Sequence, residues 1–74
     1  MDLLIVEGRR ILPVEIKLGA TVDHYGIAGL RQCMKDLGLR LGWIITTAKE
    51  RRQLSAGIEI VPWTEVASGH IDLF

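Results

Sequence analysis

The feature that most constrains the fold is a glycine between two apolar segments near the start of the chain. Two segments rich in Leu, Ile and Val are separated by Gly8 and Arg9. Because glycine at the first central position suits a type II′ turn, the pattern predicts a β-hairpin with strands over about residues 2–7 and 10–18. Pro13 lies in the second strand, and because proline has no N–H to donate, unbroken pairing on both sides of that strand is not expected.

An amphipathic helix is predicted after the hairpin. Its apolar stripe recurs at spacings of three and four residues: Ile27, Leu30, Met34 and Leu37. Thr21 or Asp23 is expected to cap the start, because a short side-chain oxygen accepts from the exposed amides of the first turn. Gly38 is expected to end the helix.

A third strand is predicted over residues 42–47. This run is short and β-branched, which is typical of a strand buried on both faces. A strand, a helix and a strand in this order imply a right-handed crossover, so segments 11–18 and 43–47 are expected to run parallel.

The last part of the chain predicts one more strand and a helical turn. A polar stretch over residues 49–53 precedes a strand over 58–61, and Pro62 stands where a terminal turn over 63–67 would begin. The expected architecture is an α/β fold with a mixed sheet, an antiparallel hairpin, one crossover helix and a short C-terminal helix.

Composition restricts the class of protein. The 74 residues allow a single domain over the whole chain, and nine Lys+Arg against nine Asp+Glu exclude a strongly basic binder or an acidic disordered tail. The only cysteine, Cys33, cannot form an internal disulfide. No apolar run reaches the roughly 18 residues that span a bilayer. Asp2 stands where a signal peptide has a basic region, so we expect a cytoplasmic protein without membrane contact.

Three charged side chains are expected to converge at one end of the hairpin. If a two-residue loop pairs Glu7 with Arg10, Asp2 falls directly opposite Glu15. Two carboxylates at that distance repel each other unless a cation lies between them. Lys17 projects from the same face of the sheet as Glu15. Hard oxygen ligands on such a short span suit Mg²⁺ or Mn²⁺.

A solvated sheet edge is the alternative interpretation of the same residues. Asp2 lies close to a terminus, where strands fray. A register shift of one residue would also place Asp2 on the other face and separate it from Glu15.

These residues also carry a family resemblance. Asp2 followed by Pro13-Val14-Glu15-Ile16-Lys17 resembles the PD-(D/E)XK nuclease signature, with Glu15-Ile16-Lys17 as its E-x-K element. The order of four segments is similar to the C-terminal domain that follows the ATPase module in bacterial and archaeal AAA-type ATP-binding proteins. Those segments are 11–17, 29–31, 42–46 and 58–63, and the resemblance covers nearly the whole chain.

The resemblance implies a restriction-endonuclease-like mixed sheet, truncated because the usual first helix and first strand are missing. It implies that Asp2, Glu15 and the carbonyl of Ile16 bind Mg²⁺ or Mn²⁺, and that Lys17 orients water or stabilises charge. Two features differ from relatives of this fold. Asp36 stands where recombination nucleases have a tyrosine after Gln32, and no phosphate loop is present, so ATP hydrolysis is not expected.

Six basic residues are candidates for contact with a nucleic-acid backbone: Arg9, Arg10, Arg40, Lys49, Arg51 and Arg52. Ordinary solvated charge is the alternative for all of them. His24 is a candidate for a metal or phosphate contact, with an exposed helix start as the alternative. Cys33, Trp43 and Trp63 are expected in the core, and the tryptophans have an interface role as their alternative.

Two functions follow from these observations. The first is a metal-dependent nuclease that uses Asp2, Glu15 and Lys17. The second is a catalytically silent dimerisation or interaction module, in which the exposed edge of the first strand pairs with another chain. The apolar fraction of 49% favours an apolar surface that a second copy covers.

Overall fold

A computed structural model describes residues 2–19 and 24–69. The elements follow the chain in the order β1 (Leu3–Glu7), β2 (Arg10–Ile16), α1 (His24–Leu37), β3 (Gly42–Thr46), β4 (Arg52–Ser55), β5 (Ile58–Pro62) and α2 (Trp63–Ser68). The five strands form one sheet in the order β1-β2-β3-β5-β4. Strands β2, β3 and β5 are parallel, whereas β1 and β4 are antiparallel edge strands. The predicted α/β fold with a mixed sheet is confirmed.

The hairpin has the predicted register. Glu7 lies opposite Arg10, and Leu4 lies opposite Pro13. Gly8 has a φ of 61° and Arg9 does not have a positive φ, which is the combination that a type II′ turn requires. The local turn therefore sets which residues meet across the two strands.

Pro13 marks a change of pairing along β2. The part of β2 before Val14 pairs only with β1, and pairing with β3 covers Val14–Ile16. Proline offers no N–H to a second neighbour, which explains why the ladder to β3 starts after it. The strand ends at Ile16, before the predicted end at residue 18.

Helix α1 lies against one face of the sheet. Leu30 and Met34 are buried there, as the apolar stripe predicts, whereas Leu37 is exposed. Gly38 has a φ of 66°, and its N–H donates to the Lys35 carbonyl at 3.2 Å, so it ends the helix as expected. The predicted caps at residues 21 and 23 lie outside the described residues.

Strand β3 is buried along its whole length and separates two apolar clusters. The cluster on the α1 face contains Leu30, Met34, Ile44 and Ile58. The cluster on the opposite face contains Leu12, Val14, Trp43, Ile45 and Val61, and Val66 of α2 packs against it. Burial on both faces confirms the interpretation of β3 as the central strand.

The sequence pattern does not predict strand β4. Residues 49–53 are predicted to be a polar stretch, but β4 begins at Arg52 and pairs antiparallel with β5. An edge strand needs no alternating apolar side chains, and β4 is exposed over its first half with a register shift between Gln53 and Ser55. The last strand and the helix after Pro62 agree with prediction.

Within residues 2–19 and 24–69, no helix is long and apolar enough to cross a membrane.

Candidate functional site

The topology brings the predicted acidic residues to one edge of the sheet. The parallel strands β2, β3 and β5 all end at this edge, and the antiparallel β1 begins there. We call this end of the parallel strands the carboxyl edge, and we call their opposite end the amino edge. These two names refer to strand ends and not to the lateral edge strands β1 and β4. Asp2 precedes β1, and Glu15 and Lys17 lie at the end of β2, so all three residues share the carboxyl edge.

Asp2 is held against the end of β2 although its side chain is exposed. Its Oδ2 accepts a hydrogen bond of 2.8 Å from the N–H of Ile16. Its own N–H donates to the carbonyl of Val14 at 3.1 Å. These two bonds hold Asp2 against the backbone of Val14 and Ile16, on either side of Glu15 in the chain.

Glu15 is a buried carboxylate, with only 8% of the residue exposed. It lies beside Ile44 in the sheet register, which places it on the α1 face. A charge in such surroundings is costly unless other charged or polar groups compensate it. The Nζ of Lys17 lies 3.6 Å from its Oε1, and the Lys17 side chain is 30% exposed. The ammonium therefore lies between a buried carboxylate and solvent.

The residues at this edge fit a hard divalent cation. Asp2 and Glu15 offer carboxylate oxygens, and the Asp2 bond to Ile16 uses Oδ2 and not Oδ1. Within the described ranges, no three His, Cys, Asp or Glu side chains are grouped to hold a metal. Mg²⁺ keeps several waters and takes one or two carboxylates, whereas Zn²⁺ takes three or four protein ligands. Two carboxylates are within the number that Mg²⁺ takes, and the binding of Mg²⁺ or Mn²⁺ stays a prediction.

The predicted nucleic-acid contacts do not form one patch. Arg9 and Arg10 lie at the β1–β2 turn, at the amino edge. Lys49, Arg51 and Arg52 follow the end of β3, at the carboxyl edge. The predicted parallel direction of β2 and β3 implies this division, because a turn before β2 and a loop after β3 lie at opposite edges.

Arg51 makes close contacts within the chain. Its Nε and Nη2 both lie 2.6 Å from Oε2 of Glu59. Its guanidinium also lies 5.3 Å from the ring centroid of Trp43, which it covers on the α2 face. Arg51 therefore stabilises the sheet, and its contact with nucleic acid stays a prediction.

The two tryptophans differ. Trp43 is 4% exposed, which confirms that it belongs to the core. Trp63 is 55% exposed, so its expected place in the core is wrong. It begins α2 at the carboxyl edge and lines an apolar pocket of about 300 Å³ together with Ile16 and Lys17. The sequence does not distinguish the two tryptophans, because Trp43 lies in a buried strand and Trp63 directly follows one.

Two other predicted residues lie on α1. Cys33 is partly buried, and Asp36 accepts a hydrogen bond of 2.8 Å from Nε2 of Gln32. The Gln32–Asp36 pair thus forms an ordinary contact along the helix surface. His24 begins α1, and its side chain is outside the described part of the structure.

The fold and the site define a small α/β domain with two carboxylates and a lysine at the end of a hairpin. A family model described as "Domain of unknown function (DUF4143)" matches residues 1–66. The chain therefore belongs to the DUF4143 family, a domain found at the C-terminus of AAA-type ATPases. The predicted relationship to an ATPase C-terminal domain is confirmed at this level. Neither a curated protein nor a solved structure matches the chain.

Proposed function

We propose that this domain has the PD-(D/E)XK nuclease fold and hydrolyses phosphodiester bonds of nucleic acid with Mg²⁺ or Mn²⁺. The observation that carries the proposal is the convergence of Asp2, Glu15 and Lys17 at one end of the hairpin. Asp2 is fixed by its 2.8 Å bond to the Ile16 amide, and Lys17 lies 3.6 Å from Glu15. Two carboxylates and a lysine ammonium at one end of a hairpin match the chemistry of metal-assisted phosphate hydrolysis.

The roles follow from the position of each group. Asp2, Glu15 and the carbonyl of Ile16 would hold the cation, which supplies a water of lowered pKa and neutralises charge on the phosphate. Lys17 stabilises the negative charge that develops on the phosphate oxygens. Its proximity to the buried Glu15 limits the directions in which its ammonium can point. Lys49 and Arg52, which follow the end of β3 at the same edge, bind the phosphate backbone.

The test incubates the full chain with DNA and RNA duplexes and single strands in the presence of Mg²⁺ or Mn²⁺. We expect cleavage by the wild type, and a loss of about 10²–10³-fold or more in Lys17→Met and Glu15→Gln. Glu50→Gln removes an exposed carboxylate elsewhere at the carboxyl edge and is the matched control. Absence of cleavage on every substrate, or equal cleavage by Glu15→Gln, contradicts the proposal.

Cation binding gives a second measurement that does not depend on substrate choice. Titration with Mn²⁺, followed by the loss of its free electron-resonance signal, should show one site in the wild type. Asp2→Asn and Glu15→Gln should each weaken this site, whereas Glu50→Gln should not. Equal Mn²⁺ binding by all four proteins would mean that the carboxyl edge is not the cation site.

A second function is favoured by the position of β1. This strand forms an edge of the sheet, and Leu3, Leu4 and Val6 on it are exposed large apolar residues. An edge strand presents backbone groups that can pair with another chain. We propose that two copies of the domain pair along β1, either as a silent interaction module or alongside catalysis.

Sedimentation velocity tests this pairing. We expect a homodimer that Val6→Lys converts to a monomer, because a lysine on an edge strand opposes strand addition. Leu41→Lys places the same charge on a comparably exposed apolar residue outside β1 and should leave the dimer intact. A wild-type chain that stays monomeric at high concentration contradicts the pairing.

A further inference from the structure

The amino edge carries a basic groove that has no part in the candidate catalytic cluster. Three arginines line it, Arg9, Arg10 and Arg40, together with the aliphatic side chains of Leu39 and Leu41. We call it the arginine groove. Its volume is about 500 Å³, and it lies at the start of β2 and β3. A chain whose net charge is zero thus places a third of its nine Lys and Arg residues around one cavity.

The fold holds these arginines on well-anchored backbone. Arg9 occupies the two-residue turn of the hairpin, and Arg10 pairs with Glu7 in the sheet register. Arg40 lies in the short connection from α1 to β3. The N–H of Leu39, next to it, donates to the Met34 carbonyl at 2.8 Å. The backbone positions from which these side chains extend are therefore set by the hairpin and by the end of α1.

We propose that the arginine groove binds the phosphate backbone of a nucleic-acid duplex, which rests on the proposed function because that duplex is also the substrate. Guanidinium groups bind phosphate oxygens in a bidentate manner. A duplex carries one phosphate charge per about 1.7 Å of its axis, so neighbouring arginines can each meet a phosphate.

A nucleic-acid single strand matches the groove less well. Proteins that bind single strands stack bases on aromatic side chains. Among the described residues, those that line the groove are aliphatic side chains, glycine and arginine, and none is aromatic. Arginines of this kind support contact with phosphates.

The groove and the acidic residues lie at opposite edges of the sheet. Arg10 begins β2, and Glu15 lies five positions further along this strand, about 17 Å away at about 3.3 Å per residue. An odd number of positions places two side chains on opposite faces of a strand, so Arg10 and Glu15 project to different faces. The groove is therefore a binding surface separate from the acidic cluster.

The experiment measures binding separately from cleavage. The Glu15→Gln protein is titrated with a fluorescein-labelled duplex of about ten base pairs, which is about one helical turn, by anisotropy over a series of salt concentrations. Adding Arg9→Gln and Arg40→Gln should weaken binding and lower the slope of log affinity against log salt by about 1.8, because each phosphate that an arginine neutralises contributes about 0.9 to the slope. Circular dichroism verifies that each variant is folded.

Arg31→Gln together with Lys35→Gln is the charge-matched control, because both residues lie on α1 and together they carry two positive charges. Arg31 lies on α1 outside the groove, and its guanidinium donates to the hydroxyl of Ser55. The slope and affinity of this variant should equal those of Glu15→Gln alone. An equal loss in the control and in the double arginine variant would assign the effect to net charge and would overturn the proposal.

The remaining outcomes also decide. Failure to bind the duplex, or an unchanged slope in the double arginine variant, overturns the proposal. So does stronger binding of poly-dT or of poly-glutamate, which would assign the groove to a single strand or to an acidic protein. If binding depends on the arginines but no substrate is cleaved, the groove stands and the nuclease proposal fails. If cleavage occurs and ignores the arginines, the nuclease proposal stands and the groove fails.

Discussion

Replacing Gly57 with alanine tests the close contact between the residue before β5 and the backbone of the α1–β3 connection. Gly57 has a φ of 77°, and a Cβ on it would overlap the carbonyl oxygen of Arg40 and lie 3.3 Å from Cε of Met34. The left-handed conformation costs a non-glycine residue about 1–2 kcal/mol. Moving the Arg40 backbone away also strains the 2.8 Å bond from the Gly42 N–H to the Gly57 carbonyl, worth about 1 kcal/mol.

The expected loss is therefore about 2–3 kcal/mol in the free energy of unfolding. A chain of 74 residues has a total of about 4–11 kcal/mol at the usual stability per residue, so the variant should stay folded with a clearly lower midpoint. Urea unfolding followed by tryptophan fluorescence measures the change. Trp43 is buried in the native protein and should account for most of the spectral change, because Trp63 is already 55% exposed.

Gly8→Ala is the matched control for this measurement. Gly8 also has a positive φ, of 61°, but nothing lies within 4 Å of a Cβ built on it. Only the conformational cost of about 1–2 kcal/mol applies there. If Gly57→Ala destabilises the protein no more than Gly8→Ala, the contact with the Arg40 backbone does not constrain the fold and the reasoning is wrong.

Three further substitutions test other parts of the structure by the same urea unfolding. Leu30→Ala removes a fully buried side chain between α1 and the sheet and should cost about 2–5 kcal/mol; a loss below about 1 kcal/mol would contradict this packing. Arg51→Ala removes the contacts with Glu59 and Trp43 and should cost about 0.5–1 kcal/mol, because the pair is partly exposed. The emission of Trp43 should shift to the red, and an unchanged spectrum would argue against the contact. Gln32→Ala removes a surface bond and should cost under about 0.5 kcal/mol; a larger loss would mean that this side chain is buried.

The hairpin could be predicted from the sequence because its determinants are local. Gly8 selects a two-residue turn, and the turn fixes the register that brings Asp2 to Glu15. The third strand and the helix were predictable for a similar reason, since apolar periodicity reflects burial. Local pattern was therefore enough to place Asp2 and Glu15 at the same end of the hairpin. Their joint binding of a cation stays a prediction.

Strand β4 and the exposure of Trp63 were not predictable in this way. An edge strand is defined by its neighbour β5 and needs no apolar pattern of its own. Trp63 follows a buried strand, but α2 leaves it at the carboxyl edge. The formation of β4 and the exposure of Trp63 both depend on the neighbouring elements. A pattern within one segment carries no information about those neighbours.

Local pattern in this chain was thus sufficient for the two helices, four of the five strands, the hairpin register and the placement of Asp2, Glu15 and Lys17 at one end of the hairpin. The strand order and the place of Arg40 beside Arg9 came only from the tertiary structure. The reason is physical. Turn chemistry and periodicity act over a few neighbouring residues, whereas contacts between distant segments depend on how the two faces of one sheet are covered.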